Sequence, residues 1–193
     1  MDPPPPPPPP QAAPIAPPTP PPPTVSPTAP PGAFLVELII FNGAPFKDHW
    51  AYWIHSPDSP DLGVQVHAAG DVYNGFKCEA RRSLDFRTTT PVPTKRIPLQ
   101  WVEGRFFDER AMLNAGFFCD HYAPVTHFES SAWIVKPPGK TLNVVDDTVP
   151  ATSVGRKISQ RNCQTWIIES AEQLVKDNIL SREVADYLRA IEQ

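Results

Sequence analysis

FLVELIIF (Phe34 to Phe41), HWAYWIH (His49 to His55) and GVQVHAA (Gly63 to Ala69) follow one another in the chain. They are separated by Asn42-Gly43-Ala44-Pro45 and by Ser56-Pro57-Asp58-Ser59-Pro60-Asp61. The first stretch is apolar nearly throughout and rich in β-branched residues, which is the pattern of a buried strand. The intervening segments are dense in turn formers. Working outward, FKCEARR (Phe76 to Arg82) alternates apolar with polar residues, and IPLQWV (Ile97 to Val102) supplies a fifth strand. Four or five successive strands on short turns predict a mostly antiparallel sheet.

The second half of the chain changes character. Residues 104–132 show no sustained period beyond a short helix near Asp108 to Ala115, and an irregular stretch runs from Gly139 to Gln160. CQTWIIESAEQLVK (Cys163 to Lys176) then places Trp166, Ile167, Ala171, Leu174 and Val175 on one helical face. Ser181 is set to cap a last helix with a Val184, Leu188 and Ile191 stripe, with Glu183 near its positive end. The expected fold class is α+β, a sheet of four to five strands packed against C-terminal helices.

In front of this domain lies a different polymer. Of the 28 prolines, 18 fall within the first 31 residues, including the run Pro3 to Pro10. Proline lacks the N–H and has a fixed φ, so residues 1–33 are expected to be a polyproline II or disordered arm that folding can dispense with. That leaves residues 34–193 as one domain, long enough for a real core. All 17 Lys and Arg lie in it against 20 acids, a net charge near −3, so it lacks the basic field of a nucleic-acid binder. No stretch reaches the roughly 18 apolar residues of a membrane helix, and no secretory leader pattern opens the chain. The three widely spaced cysteines, Cys78, Cys119 and Cys163, fit a reducing compartment better than a disulfide framework, so a cytoplasmic location is expected. The arm is itself a candidate ligand, through residues 3–31, for proline-recognition modules.

The chemistry concentrates on three residues. If the hairpin between the second and third strands is centred near Asp58, facing residues have numbers summing to 116, and His49 faces His67 on the same side of the sheet. Cys163 opens an amphipathic helix behind Asn162, a suitable N-cap. Free N–H groups and the helix dipole at that position favour a thiolate and can hold an oxyanion. A helix-capping thiol, a histidine base and a second polar group orienting the imidazole form the general Cys–His catalytic arrangement.

HWAYWI, then GVQVHAAGD, then RNCQTW at a helix start resemble, in that order, the boxes of the circularly permuted papain-like thiol fold. The lecithin:retinol acyltransferase family and the PPPDE-type isopeptidases share this order. The chain also resembles uncharacterised fungal proteins with an HWALF-like strand and an R-x-C-Q-x-W box. The resemblance covers roughly residues 34–103 and 140–193. It implies Cys163 as nucleophile, His49 as base and His67 as the orienting residue, acting on an acyl or amide substrate with no cofactor or metal. Residues 104–132 have no counterpart in it, and Gln164 stands where the named families carry an acid or asparagine.

Other readings compete. Cys78 beside Phe76 and Ala80 reads as a buried packing residue. His55, at the turn edge, is expected to be exposed. Cys119, His121, His127 and Glu129 could offer thiol, imidazole and carboxylate to zinc, but they lack paired-ligand spacing. A surface loop rimming a cleft, with Phe117, Phe118, Tyr122 and Phe128, suits that segment better. Finally, the whole domain could keep the fold as a non-catalytic binding module.

Overall fold

The computed structural model describes residues 20–140 and 161–193. The arm's Pro3 to Pro10 run and most of the irregular stretch before Gln160 lie outside the described residues. Six antiparallel strands form one sheet in the order β5-β1-β2-β3-β4-β6. They are β1 (Phe34–Phe41), β2 (His49–His55), β3 (Leu62–Asp71), β4 (Gly75–Asp85), β5 (Lys95–Val102) and β6 (Cys119–His121). Four helices accompany them: α1 (Glu109–Met112), α2 (His127–Ala132), α3 (Cys163–Lys176) and α4 (Arg182–Ala190). The fold class is α+β, as the strand pattern predicts.

Strand alternation gives the sheet two unlike faces. Trp50, Tyr52, Ile54, Val64 and Val66 pack against Trp166, Ile167, Ala171 and Leu174 of α3 and against Val184 and Leu188 of α4. This is the main core, and the Tyr52 hydroxyl pins the layers by donating to the Ile167 carbonyl at 2.9 Å. On the opposite face Ile39, Ala51, Trp53 and Leu84 form a smaller cluster flanked by Phe41 and Phe86. His49 and His67, at odd positions of their strands, belong to this second face.

The segment 104–132 holds more structure than its sequence suggests. Besides α1 it contains two 3-10 turns, the edge strand β6 on β4, and α2, capped by the Thr126 hydroxyl, which accepts from the Glu129 N–H. Arg82 of β4 anchors it. Its guanidinium, fully buried, makes a two-pronged ion pair with fully buried Glu129 at 2.9 and 2.8 Å. It also donates to His121 Nδ1 at 3.1 Å and to the Met112 carbonyl at 3.3 Å.

Two expectations need correcting. His55 is buried, 3% exposed, because it sits under the Glu37–Arg96 ion pair on the second face; its Nδ1 donates to the Ser56 carbonyl at 2.7 Å. The arm is also not wholly detached. Residues 20–33 run along the domain, with Pro23 buried and the Trp101 indole N–H donating to the Ser26 carbonyl at 2.8 Å.

Candidate functional site

The β2–β3 hairpin pairs Tyr52 with Val66 and Ile54 with Val64, so facing numbers sum to 118 rather than 116. A shift of two preserves the face and moves His67 from directly opposite His49 to the diagonal position. Imidazoles span that offset. His49 Nε2 lies 2.7 Å from His67 Nδ1, with the rings edge-on at 4.9 Å between centroids. His67 Nε2 in turn lies 3.2 Å from Glu79 Oε1, because the β3–β4 register sets Glu79 directly across from His67.

This chain of contacts determines where the protons sit. The Glu79 carboxyl is held below its ordinary range, first by its hydrogen bond with His67, so it is ionised and only accepts. His67 must therefore carry a proton on Nε2. With His67 neutral, its Nδ1 lone pair accepts from His49 Nε2–H; with His67 protonated, the bond runs the other way. In the neutral relay the remaining nitrogen of His49, Nδ1, is unprotonated, with no hydrogen bond to a described residue. Burial, and then the neighbouring His67, lower the His49 pKa to about 3. The ring is neutral at any ordinary pH.

Cys163 reaches the same residue from the other side of the sheet. It opens α3, where Asn162 Oδ1 accepts from the N–H groups of Gln164 at 2.9 Å and Thr165 at 3.2 Å, and Thr165 completes a reciprocal capping box. The thiol is 8% exposed and donates weakly to the Asp48 carbonyl at 3.9 Å. Burial raises its pKa, against the opposing pull of the N–H groups of Trp50, Gln164 and Cys163 itself. The expectation that the helix terminus leaves a low-pKa thiolate is thus overturned for the resting protein, because desolvation outweighs the dipole. The sulfur's main-chain neighbours, Asp48 and Trp50, flank His49 on both sides. No hydrogen bond joins the sulfur to either imidazole.

Gln164 finds its purpose here. Fully buried, it donates to the Asp48 carbonyl at 2.9 Å and accepts from the Gln193 N–H at 3.1 Å, while Gln193 donates to the Asp48 carboxylate at 2.8 Å. This lock sets the strand entry against the thiol. On the second face, a cleft of about 220 Å³ opens beside His49 and His67, between Phe41, Leu84 and the Thr89–Thr90 loop.

The remaining candidates lie apart. Cys78 is half-buried on β4, its thiol pushed up to about 11 by burial. Cys119 and His121 sit on β6, and Glu129 is committed to Arg82. Among the described residues no group of three His, Cys, Asp or Glu is arranged to hold a metal ion. Sequence reasoning missed Glu79, although the alternation of Lys77, Glu79 and Arg81 against Phe76, Cys78 and Ala80 already put it on the histidine face.

Comparison with curated proteins and with solved structures returns no match. A family model does match, over residues 36–181, and this span takes in five of the six strands whole and most of β1, with the relay and the thiol. The chain belongs to that family, described as a family of unknown function, DUF6540.

Proposed function

We propose that the domain is a thiol-dependent acyl-group enzyme with Cys163 as nucleophile and His49 as base. The observation that carries this reading is the Glu79–His67–His49 relay, which ends at a residue flanked by the two main-chain neighbours of the Cys163 sulfur, Asp48 and Trp50. The resting pair is a neutral thiol and a neutral imidazole. In the proposed cycle the Cys163 proton passes to His49 Nδ1 as the sulfur attacks a carbonyl carbon. The imidazolium then gives that proton to the departing amine, alcohol or thiol as the thioester forms. Water or a second nucleophile, losing a proton to the same nitrogen, breaks the C–S bond and regenerates the thiol. Asn162 takes the N–H groups of Gln164 and Thr165, which leaves the Cys163 N–H at the α3 terminus as the donor for a developing oxyanion. The imidazoles stand on the sheet face opposite α3, so in this cycle His49, at the entry of β2, turns its ring toward the sulfur as substrate binds.

The reading follows the resemblance to acyltransferases and isopeptidases of the permuted papain-like type, with a soluble amide or thioester substrate. No helix among the described residues is long and apolar enough to cross a membrane. The missing S–N contact favours the second reading, a non-catalytic module.

Acylation by p-nitrophenyl acetate and alkylation by iodoacetamide, with the modified cysteine located by mass spectrometry, separate the two. The enzyme predicts acetylation and alkylation of Cys163 in preference to Cys78 and Cys119, slowed at least tenfold in His49→Ala. Cys163→Ser should abolish acyl turnover with its circular dichroism intact, while Cys78→Ser and Cys119→Ser keep turnover. Because burial holds the thiol up, the Cys163 alkylation rate should climb through the alkaline range with no plateau near neutrality. Equal rates at all three cysteines, unchanged in His49→Ala, would establish the binding module.

A further inference from the structure

Residues 20–26 of the arm meet the domain at every third position. Pro20 is half-buried, Pro23 buried, Ser26 offers its carbonyl to the Trp101 indole, and Ala29 is half-buried. The residues between them are exposed, apart from half-buried Val25. Polyproline II has three residues per turn and leaves its backbone carbonyls free, so Pro20, Pro23 and Ser26, at i, i+3 and i+6, fall on one edge of such a helix. Beyond them the Ser26 hydroxyl, bonded to the Thr28 N–H and carbonyl, turns the chain. An aromatic shelf with an N–H aimed at a free carbonyl is how proline-rich peptides are gripped. Trp101 lies on β5, the edge strand, opposite Leu35 on the second face of the sheet. The arm leaves the shelf through a turn closed by the Ala33 N–H to the Pro30 carbonyl at 3.1 Å. There Gly104 lets the chain pass closely, since a Cβ on it would collide with the Gly32 carbonyl oxygen.

The sequence repeats the same spacing upstream. Pro14, Pro17, Pro20 and Pro23 fall at every third position, and the run Pro3 to Pro10 fits in any register. A shelf that reads one proline in three therefore has several equivalent ligands in one arm. We propose that the Trp101 shelf is a polyproline-recognition site, filled in the single chain by residues 20–26, that also accepts the arm of a second copy of this protein. The chain's own arm is a tethered competitor whose effective concentration reaches the millimolar range. Exchange between copies thus requires concentrated protein or an arm displaced from its own shelf.

The test uses the full chain and, as the probe for a second copy's arm, a fluorescein-labelled peptide of residues 11–29. Displacing the resident arm with Pro23→Asp should tighten peptide binding at least tenfold over the wild type. Adding Trp101→Ala should weaken it at least tenfold again, as expected for a tryptophan anchor. Trp101→Phe, which keeps the ring and loses only the N–H, should fall between them, with circular dichroism unchanged. A peptide carrying alanine in place of Pro14, Pro17, Pro20 and Pro23 should not bind. In sedimentation, the wild type should form a dimer at high concentration that Trp101→Ala removes. The proposal is overturned if Pro23→Asp binds no peptide, if its binding is indifferent to Trp101, or if the wild type remains monomeric at high concentration.

Discussion

Glu129→Ala is expected to cost about 3–5 kcal/mol of folding stability, the range for removing one partner of a buried ion pair. The substitution leaves the Arg82 guanidinium, fully buried, with no anion. Its remaining acceptors are the His121 ring nitrogen and the Met112 and Ala123 carbonyls, none of them charged enough to replace a carboxylate. Glu129 Oε2 also accepts from the Val125 N–H at 2.8 Å, so the turn before α2 loses a bond as well. For a domain of this size the loss should lower the melting temperature by about 10 °C or more. The paired change Arg82→Met with Glu129→Leu removes both charges and should recover much of the deficit, because the isolated charge is the costly feature. Urea unfolding of the single and double variants measures this. A Glu129→Ala protein within about 0.5 kcal/mol of wild type, the ordinary scatter of a surface change, would show that the pair is not the anchor.

That anchor was invisible in the sequence for a physical reason. Arg81-Arg82 reads as a solvated basic pair, yet strand alternation sends the two side chains to opposite faces. Arg81 points to the histidine side, 3.2 Å from Asp120, and Arg82 into the core. Nothing in a single sequence says which long-range carboxylate will meet a buried guanidinium 47 residues earlier in the chain. Segment 104–132 was hard to read for the same cause. Its order comes from Arg82 and from edge pairing of a three-residue strand, neither of which leaves a periodic trace.

Where pattern and physics coincide, the sequence was easy to read. β1 and β2 begin and end where their apolar runs do, and α3 begins at Cys163 behind its Asn162 cap. The histidine pair was legible because face assignment survives an even shift in register, even though the exact pairing did not. The same hairpin arithmetic around Tyr73 puts His67 opposite Glu79, so the third member of the relay was also within reach. The position of the sulfur was not legible. Whether a helix-start thiol ends as a thiolate depends on the balance of desolvation and N–H donation, which only three-dimensional enclosure by Asp48, Trp50 and Gln164 decides.

His49 should also govern the acid stability of the domain. Its pKa is lowered from 6.5 to about 3 in the folded chain, by burial first and by His67 second, with Arg81 adding to the effect and Glu79 opposing it. In the unfolded chain the imidazole takes up a proton as pH falls through 6.5, while the native ring resists until about 3. The unfolded state binds more protons across that window, so stability falls as pH is lowered through it, at up to about 1.4 kcal/mol per pH unit for one group. Glu79 adds to the loss near the acid end, because its depressed carboxyl must be protonated there. Allowing for partial solvent access at the strand entry, the His49 contribution should amount to about 2–4 kcal/mol between pH 6.5 and pH 3. His49→Gln removes this titration and leaves the other four histidines in place. Its stability, measured by urea unfolding at successive pH values, should decline less steeply than that of wild type, with the curves converging or crossing toward pH 4. Parallel profiles would mean that His49 takes up its proton in the folded state as readily as in the unfolded one. A ring protonated so easily would not be the enclosed, neutral imidazole of the relay with His67 and Glu79.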